Sequence, residues 1–362
     1  MHGRTLRMSP AAVIAAYNLS LLALVAGLLS LPHAAGRYRN VVSLLVSVTL
    51  FSCAVLMGAI LLPVPSFGRF QLLTWAAFVH APMYLLGWAA ACIRQRRPLA
   101  LACVVLAASL VVVGIDAFFI EPRWLAVDHV RIRSPKLGRA VRLVVVADIQ
   151  TDDPGNYERR VLRRAQSEEP DLILLAGDYV QQADQERYRE AANELSRMME
   201  EEGLHAPLGA YAVRGNVDWP GQWEGIFSGL PVSTVDQSDT MDLGPLTLTA
   251  LSLRASSDTA VSVQGVEGFH VVMGHVPNFA RGSVEADLLI AGHTHGGQVQ
   301  LPLIGPVMTL SDVPRKWASG VTEIAPGKTL IVSRGIGMER GYAPRLRFLC
   351  RPQLVIVDLA PA

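Results

Sequence analysis

The stretch 142-RLVVVADIQTDDPG-155 decides how this chain is read. An apolar run from Leu143 to Ala147 breaks off at Asp148 and Gln150, where a strand buried on both faces would end. Asp153-Pro154-Gly155 is a turn, and from Tyr157 to about Ser167 the residues Val161, Leu162 and Ala165 recur on one helical face. The same punctuation returns downstream. "DLILLAGDYV" is a second buried strand, and the segment from about 183 to 202 is an amphipathic helix burying Tyr188, Ala191, Ala192, Leu195, Met198 and Met199. "GAYAVRGNVDW", "TLTALSLR", "FHVVMGHVP", "DLLIAGHTHGGQ", "KTLIVSRGIG" and "QLVIVDLA" follow as strands, and the linker before Gly138 can supply an edge strand at about 126–132. Strand and helix alternate first and strands dominate later. That order predicts parallel strands, then antiparallel ones, in two stacked sheets with helices outside.

Upstream the composition changes. With 51% hydrophobic and 17% charged residues in 362, and a net charge of +1, the chain as a whole is too apolar for an ordinary soluble enzyme. The excess lies in the first 120 residues, where Asp116 is the only acid before Glu121. Four runs, at about 11–32, 41–63, 72–93 and 99–120, each approach the roughly 20 residues needed to cross a bilayer. Their separators, "HAAGRYRN", "VPSFGRFQ" and "RQRRP", bear arginine, as loops at a headgroup surface do. The expected organisation is a four-helix transmembrane domain over 1–122 and a second domain over 123–362, in a multi-pass protein of a bacterial inner membrane. Arg4, Arg7, Arg69 and the basic stretch from Arg123 to Arg139 oppose Arg37, Arg39, Arg94, Arg96 and Arg97, a balance that leans towards a cytoplasmic second domain. Asn18, His80 and Asp116 are expected to make helix-to-helix hydrogen bonds or lie near a helix end. Cys53, Cys92 and Cys103 fall in the apolar runs and only Cys350 lies beyond, which excludes a disulfide framework or a zinc knuckle. Nothing points to nucleic acid.

The strand ends of the second domain carry Asp148, Gly177-Asp178, Gly215-Asn216, Gly274-His275 and Gly292-His293-Thr294-His295. Singly, each has an ordinary explanation as a turn former, a cap or a satisfied histidine. Two imidazoles one residue apart among three glycines do not, because such a segment brings ligands and close backbone approach together. Jointly these residues offer a bridging carboxylate with further oxygen and imidazole donors, which is what a pair of divalent cations needs.

D-x-Q, G-D, G-N-x-D, G-H and G-H-T-H-G-G-Q, in this order, resemble the calcineurin-like metallophosphoesterases, in particular a bacterial membrane-associated branch. "APLGAYAVRGNVDW", "AGHTHGGQVQLP" and "VSRGIGMERGYAPRLRFLCRPQLVIV" are similar to that branch phrase by phrase, over about residues 126–360. The resemblance implies an α/β fold, a four-layer α/β/β/α sandwich, and hydrolysis of phosphate esters or diphosphates by a water held between two metals. Carried over by position, Asp148, Gln150, Asp178 and His295 would hold one metal. Asp178, Asn216, His275 and His293 would hold the other, with Asn216 also polarising the phosphoryl group and Asp218 as a further catalytic position. Arg334, Arg345 and Arg347 are candidate phosphate contacts, with surface ion pairing as the competing fate.

Two histidines of the family pattern are absent: D-x-H reads Asp148-Ile149-Gln150, and G-N-H-D reads Gly215-Asn216-Val217-Asp218. An amide oxygen at Gln150 favours manganese, with magnesium, zinc and iron as the other candidates. Val217 cannot protonate a leaving group, help worth about 10²- to 10⁴-fold. Asp218 then lacks its usual partner, and His270 or His205 would have to act for poor leaving groups. The expected function is a membrane-anchored metal-dependent phosphohydrolase of a phosphate ester or diphosphate, its substrate a lipid or envelope precursor. The competing reading is a catalytically impaired metal-binding or regulatory module.

Overall fold

The structure, a computed structural model, describes residues 9–30 and 39–362. Arg4, Arg7 and Arg37, part of the orientation argument, lie outside these residues, as do the end of the first expected span and most of the separator at 33–40. The chain divides into two compact units, Met1–Ala117 with Tyr342–Pro344, and Phe118–Gly341 with Arg345–Ala362.

The first unit is helical: α1 Pro10–Ser30, α2 Arg39–Leu61, α3 Ser66–Trp75, α4 Ala81–Cys92 and α5 Arg97–Ile115. Helices α3 and α4 are joined through a π turn, Ala76–His80. Pro82 follows it; a proline lacks the N–H of the α ladder and crowds the preceding turn, which a locally widened helix accommodates. Four helical stretches, Pro10–Leu29, Val42–Leu61, Ser66–Cys92 and Arg97–Arg123, are long and apolar enough to cross a membrane. The polar residues within them find partners: His80 Nε2 lies 2.8 Å from Asn18 Oδ1, and Asn18 Nδ2 donates to the Ile14 carbonyl at 2.9 Å. Tyr84 stacks on Phe51 and shares a hydrogen bond with Ser47.

The second unit contains β1 Ala126–Ser134, β2 Val141–Val146, α6 Asn156–Ser167, β3 Leu172–Leu175, α7 Gln185–Glu201, β4 Ala210–Val213, β5 Val232–Val235, β6 Asp239–Asp242, β7 Thr247–Ala250, α8 Leu253–Ser257, β8 His270–Met273 and β9 Leu288–Ala291. A small hairpin, β10 Gln300–Leu301 with β11 Gly305–Pro306, precedes β12 Gly320–Ala325, β13 Lys328–Val332 and β14 Gln353–Pro361. One sheet has the order β1-β14-β2-β3-β4-β5 and the other β12-β13-β9-β8-β7-β6.

Alternation along the strands builds the layers. Val144, Val146, Ile173 and Leu175 pack with Val161, Leu162, Leu195 and Met199 of α6 and α7. Leu143, Val145, Leu172 and Leu174 face the opposite way, against Leu248, Val271, Met273, Leu288 and Ile290 of the second sheet. That sheet's other face buries Val272, Leu289, Leu330 and Val332 with Phe279. Strands buried on both faces read as continuous apolar runs, hence their lack of period-2 patterning. One expectation is corrected. The second sheet is mostly parallel (β7, β8, β9 and β13), with antiparallel pairs only at its edges, β6 with β7 and β12 with β13. Its crossovers use short pieces such as α8 and the turn Pro277–Arg281, too brief to leave a helical period in the sequence.

Arg347 is wholly buried, and its guanidinium donates to the carbonyls of Cys350 (2.9 Å), Arg334 (2.8 Å), Gly335 (3.2 Å) and Gly337 (2.5 Å). It is the internal donor for a segment with no ladder of its own. Replacing Arg347 by Met is expected to cost on the order of 3 kcal/mol by orphaning these carbonyls. Thermal unfolding of the full chain in detergent measures this, and an unchanged midpoint would contradict it.

Candidate metal centre

The expected ligands arrive from both sheets. Asp148 follows β2, Gly177-Asp178 follows β3, Gly215-Asn216 follows β4, His275 follows β8, and His293 and His295 follow β9. The lips after β2 and β3 are laced together: the Asp148 N–H donates to the Gly177 carbonyl (3.0 Å) and the Gln150 N–H to the Asp178 carbonyl (2.8 Å). Asp148 (φ 50°), Gln150 (36°), Asp178 (56°), His293 (70°) and His295 (49°) all occupy the left-handed region. Each such residue costs about 1–3 kcal/mol, and strain clustered at converging side chains marks a site held by its surroundings. Close approach explains the neighbouring glycine at 215: a Cβ there would lie 2.0 Å from Asp178 Oδ1.

Ligand atoms of Asp148, Asp178 and His295 lie within 4.8 Å of one another, and so do those of Asp178, His275 and His293. Asp178 is common to both groups. Asn216 Oδ1 sits 2.9 Å from His275 Nε2, against the second group. Gln150 Oε1 and His295 Nδ1 are buried with no hydrogen-bond partner. A histidine with an orphaned ring nitrogen grouped with two carboxylates, and an orphaned amide oxygen two residues from Asp148 in the chain, fit a divalent cation, and carboxylate, imidazole and amide donors suit the borderline metals.

Protonation tells the same story. His275 Nδ1 lies 2.8 Å from the Ala176 carbonyl, so its Nδ1–H donates there. Its Nε2 is left facing Asn216 Oδ1 and, at 3.3 Å, Asp178 Oδ2. Burial pulls the imidazole pKa down, but the Asp178 carboxylate, joined by Asp148, outweighs it and lifts the pKa to about 9. Burial lifts Asp148 to about 7 against the opposing pull of His275. Asp178 feels the same burial, yet the charge and hydrogen bond of His275 and the Val217 N–H hold its pKa below the usual range. Burial, aided by the charge of His275, lowers His293 to about 4. His295 is lowered well below its ordinary value, chiefly by burial with Arg347 adding to it. A cation entering here must displace protons from His275 and Asp148, so protons compete and affinity must rise with pH. The expected slope is about tenfold per pH unit from 7 to 9, and steeper below 7, where Asp148 is also protonated. Titration calorimetry in buffers of different ionisation heat counts the released protons; affinity flat from about pH 6 to 9 would contradict this.

Gln150 is clamped by residues that sequence reading passed over. Its Nε2 donates to Gln181 Oε1 (2.9 Å) and Glu339 Oε2 (3.1 Å), while Gln181 Nε2 donates to Glu339 Oε1 (2.6 Å). The backbone N–H of Arg340, which can only donate, reaches Gln181 Oε1 at 2.7 Å. That contact fixes the Gln181 amide, the Glu339 carboxylate accepts from both amides, and Gln150 is left with its oxygen as the free acceptor. Burial raises the Glu339 pKa, and its two amide donors oppose this. The available signal was a lone acid between Gly335 and Gly341 in a glycine-rich loop. Glu339→Gln is expected to weaken binding at the Asp148 group by about 10- to 100-fold. Titration of the metal-free full chain measures it, and undiminished affinity would contradict the clamp.

Other residues take different tasks. The Asp218 carboxylate accepts the N–H groups of Asp178 (2.9 Å), Tyr179 (2.8 Å) and Gly215 (2.8 Å). Far from lacking a partner, it ties two ligand loops together. Arg334 pairs with Asp128 and Arg345 with Asp152, while Arg347 is the buried donor described above. His270 bonds Thr249 and the Glu285 carbonyl, and His205 is exposed with its backbone N–H on Gln166; neither contacts a ligand residue among the described hydrogen bonds.

Two stacked mixed sheets whose strand ends bring buried carboxylates, imidazoles and an asparagine together define a phosphoester hydrolase of the two-sheet metal-dependent class. Residues 141–297 match the calcineurin-like phosphoesterase family, and the chain carries a metallophosphoesterase domain of that family. A metallophosphoesterase of Bacillus subtilis, YkuE, is 27% identical over 67% of this chain and 88% of its own length. One from Aquifex aeolicus is 27% identical over 66% of this chain and 94% of its own. The UDP-2,3-diacylglucosamine pyrophosphatase LpxG of Chlamydia muridarum is 22% identical over 69% of this chain and 94% of its own.

Proposed function

We propose that the chain is a membrane-anchored hydrolase of a diphosphate or similarly activated phosphate ester carried on a lipid, with Asp148, Gln150, Asp178 and His295 holding one divalent ion and Asp178, Asn216, His275 and His293 the other. The unpartnered Gln150 Oε1 and His295 Nδ1 beside the shared Asp178 carry this reading. When bound, the ions supply Lewis-acid activation of water and of the phosphoryl oxygens. The oxygen-rich first group, with an amide in place of an imidazole, favours manganese or magnesium.

The chain's own residues set the rest. Asn216 is exposed at its strand end, with its amide against His275, and can donate from Nδ2 to a phosphoryl oxygen while Oδ1 faces the metal group. Val217 gives its backbone N–H to Asp178 Oδ1 (2.9 Å), and its side chain has no proton to offer. Neither His270 nor His205 fills that gap. Substrates whose leaving group departs as an anion, such as a nucleoside monophosphate, suit this site, because they need little of the missing acid. The name of the chlamydial relative, a pyrophosphatase acting on a nucleotide-linked diacyl sugar, agrees with a lipid-borne diphosphate. Four helices able to cross a membrane agree with a substrate that lives there.

The test uses the full chain in detergent with manganese, a nucleotide-diphospholipid, an activated aryl phosphodiester and an alkyl phosphodiester. The native chain is expected to turn over the first two and to be slow on the third, and Asp178→Asn to abolish all. Val217→His should raise alkyl turnover by up to about 10²-fold while changing the diphosphate little. Equal gains on every substrate would contradict the leaving-group argument. Tight metal binding without turnover on any of them would favour the impaired module.

A further inference from the structure

The segment just after the metal-ligand turn is an apolar surface. From Gly296 to Ser311 there is no Asp, Glu, Lys or Arg. This stretch forms the β10–β11 hairpin and its flanks, and its large apolar residues point outward: Leu301 is 39% exposed, Leu303 109%, Ile304 56%, Val307 46% and Leu310 56%. The other exposed large apolar residues described in this unit are Phe119, Ile120 and Trp124 near its start, and Val321 and Leu349. Scattered single exposures need no explanation; a contiguous apolar tip does.

Its base is fixed on the site. The Val307 N–H donates to the Val299 carbonyl (3.1 Å), and His293 Nε2 lies 3.0 Å from the Leu310 carbonyl, so a candidate ligand and the hairpin share a hydrogen bond. On its other side the hairpin leads to the end of the fourth apolar helical stretch. The Gln300 N–H donates to the Phe348 carbonyl (2.9 Å), and the next residue, Leu349, gives its N–H to Glu121 Oε2 (2.8 Å) within Arg97–Arg123. Just past that stretch Trp124 is exposed, with Arg351 4.1 Å over its ring. Exposed Arg315 and Lys316 lie in the short turn Arg315–Trp317, which packs against β11. An apolar tip flanked by cations and an aromatic residue, joined to the end of a membrane-length helix, matches the composition of an element that lies in a bilayer interface.

We propose that the hairpin over 300–310 seats in the headgroup and upper acyl region of the bilayer that the chain's own helices occupy, and so presents the metal-ligand turn to phosphate groups of membrane-resident amphiphiles. The inference rests on the reading of a membrane-anchored hydrolase and adds the surface that selects its substrate. A second copy of the chain is the other possible cover for such a tip.

The test places nitroxide labels at Leu303→Cys and Ile304→Cys, with Asp239→Cys as an exposed control, in the full chain carrying Cys53→Ser and reconstituted in phosphatidylcholine–phosphatidylglycerol nanodiscs. Labels at 303 and 304 are expected to be more accessible to oxygen than to a water-soluble nickel chelate, with the control reversed. Labels as open to nickel as the control would overturn the proposal, as would spin–spin broadening that reports a second copy. Independently, Leu303→Ser/Ile304→Ser should lower turnover of a nucleotide-diphospholipid in vesicles on the order of tenfold and leave an activated aryl phosphodiester unchanged. Equal loss on both substrates would count against docking. Inserted labels without lipid turnover uphold the docking and sink the proposed substrate; lipid turnover with water-exposed labels does the opposite.

Discussion

Two carboxylates, Asp148 and Asp178, are buried almost completely within one cluster, and the only ion pairs described for either are with His275. Charge in such a place is costly unless it is compensated. The rest of the second unit can be understood from that constraint. The central strands carry apolar side chains on both faces, so the two carboxylates at their ends are shut away from water and must be satisfied by protein or by a cation. In the protein alone the compensation is a proton on His275, whose pKa the carboxylates raise to about 9. That proton sits between Asp178 and Asn216, in the position of a metal ligand's lone pair.

The loops around the carboxylates are held by polar groups outside the candidate ligand set. Asp218 gathers three backbone N–H groups and pins the Asp178 loop to the Asn216 loop. Arg347 supplies donors to the carbonyls after β13. Glu339 and Gln181 orient the amide that stands where the family pattern has histidine. Each is polar and hydrogen-bonded to the loops it holds: a left-handed backbone at five candidate ligands persists only if its surroundings determine it.

Much of this was legible in the chain because strand ends are local features. The apolar runs, the turn residues behind them and the His293-Thr294-His295 turn could be read in order, and so could the two departures, Gln150 and Val217. What could not be read is set by contacts distant in sequence. Nothing near Asp218 announces that two of its donors are 39 and 40 residues away, and Glu339 meets Gln150 across 189 residues. The arginines illustrate the same limit: three similar residues in one segment divide into two ion pairs and a buried donor according to where the chain turns. The parallel second sheet was hidden because its crossovers are too short to show a helical period. The charge-free run from Gly296 to Ser311 was in plain view, but such a run gains meaning only when its side chains are seen to point outward.

The central claim is that the buried cluster exists to hold two divalent ions that share Asp178. Its most direct test is the metal stoichiometry of the full chain, purified in detergent, stripped with chelator, reloaded with manganese and counted by elemental analysis. The account predicts two ions per native chain, and one or none after Asp178→Asn. A native chain that binds no more than one, or a variant that still binds both, would contradict it.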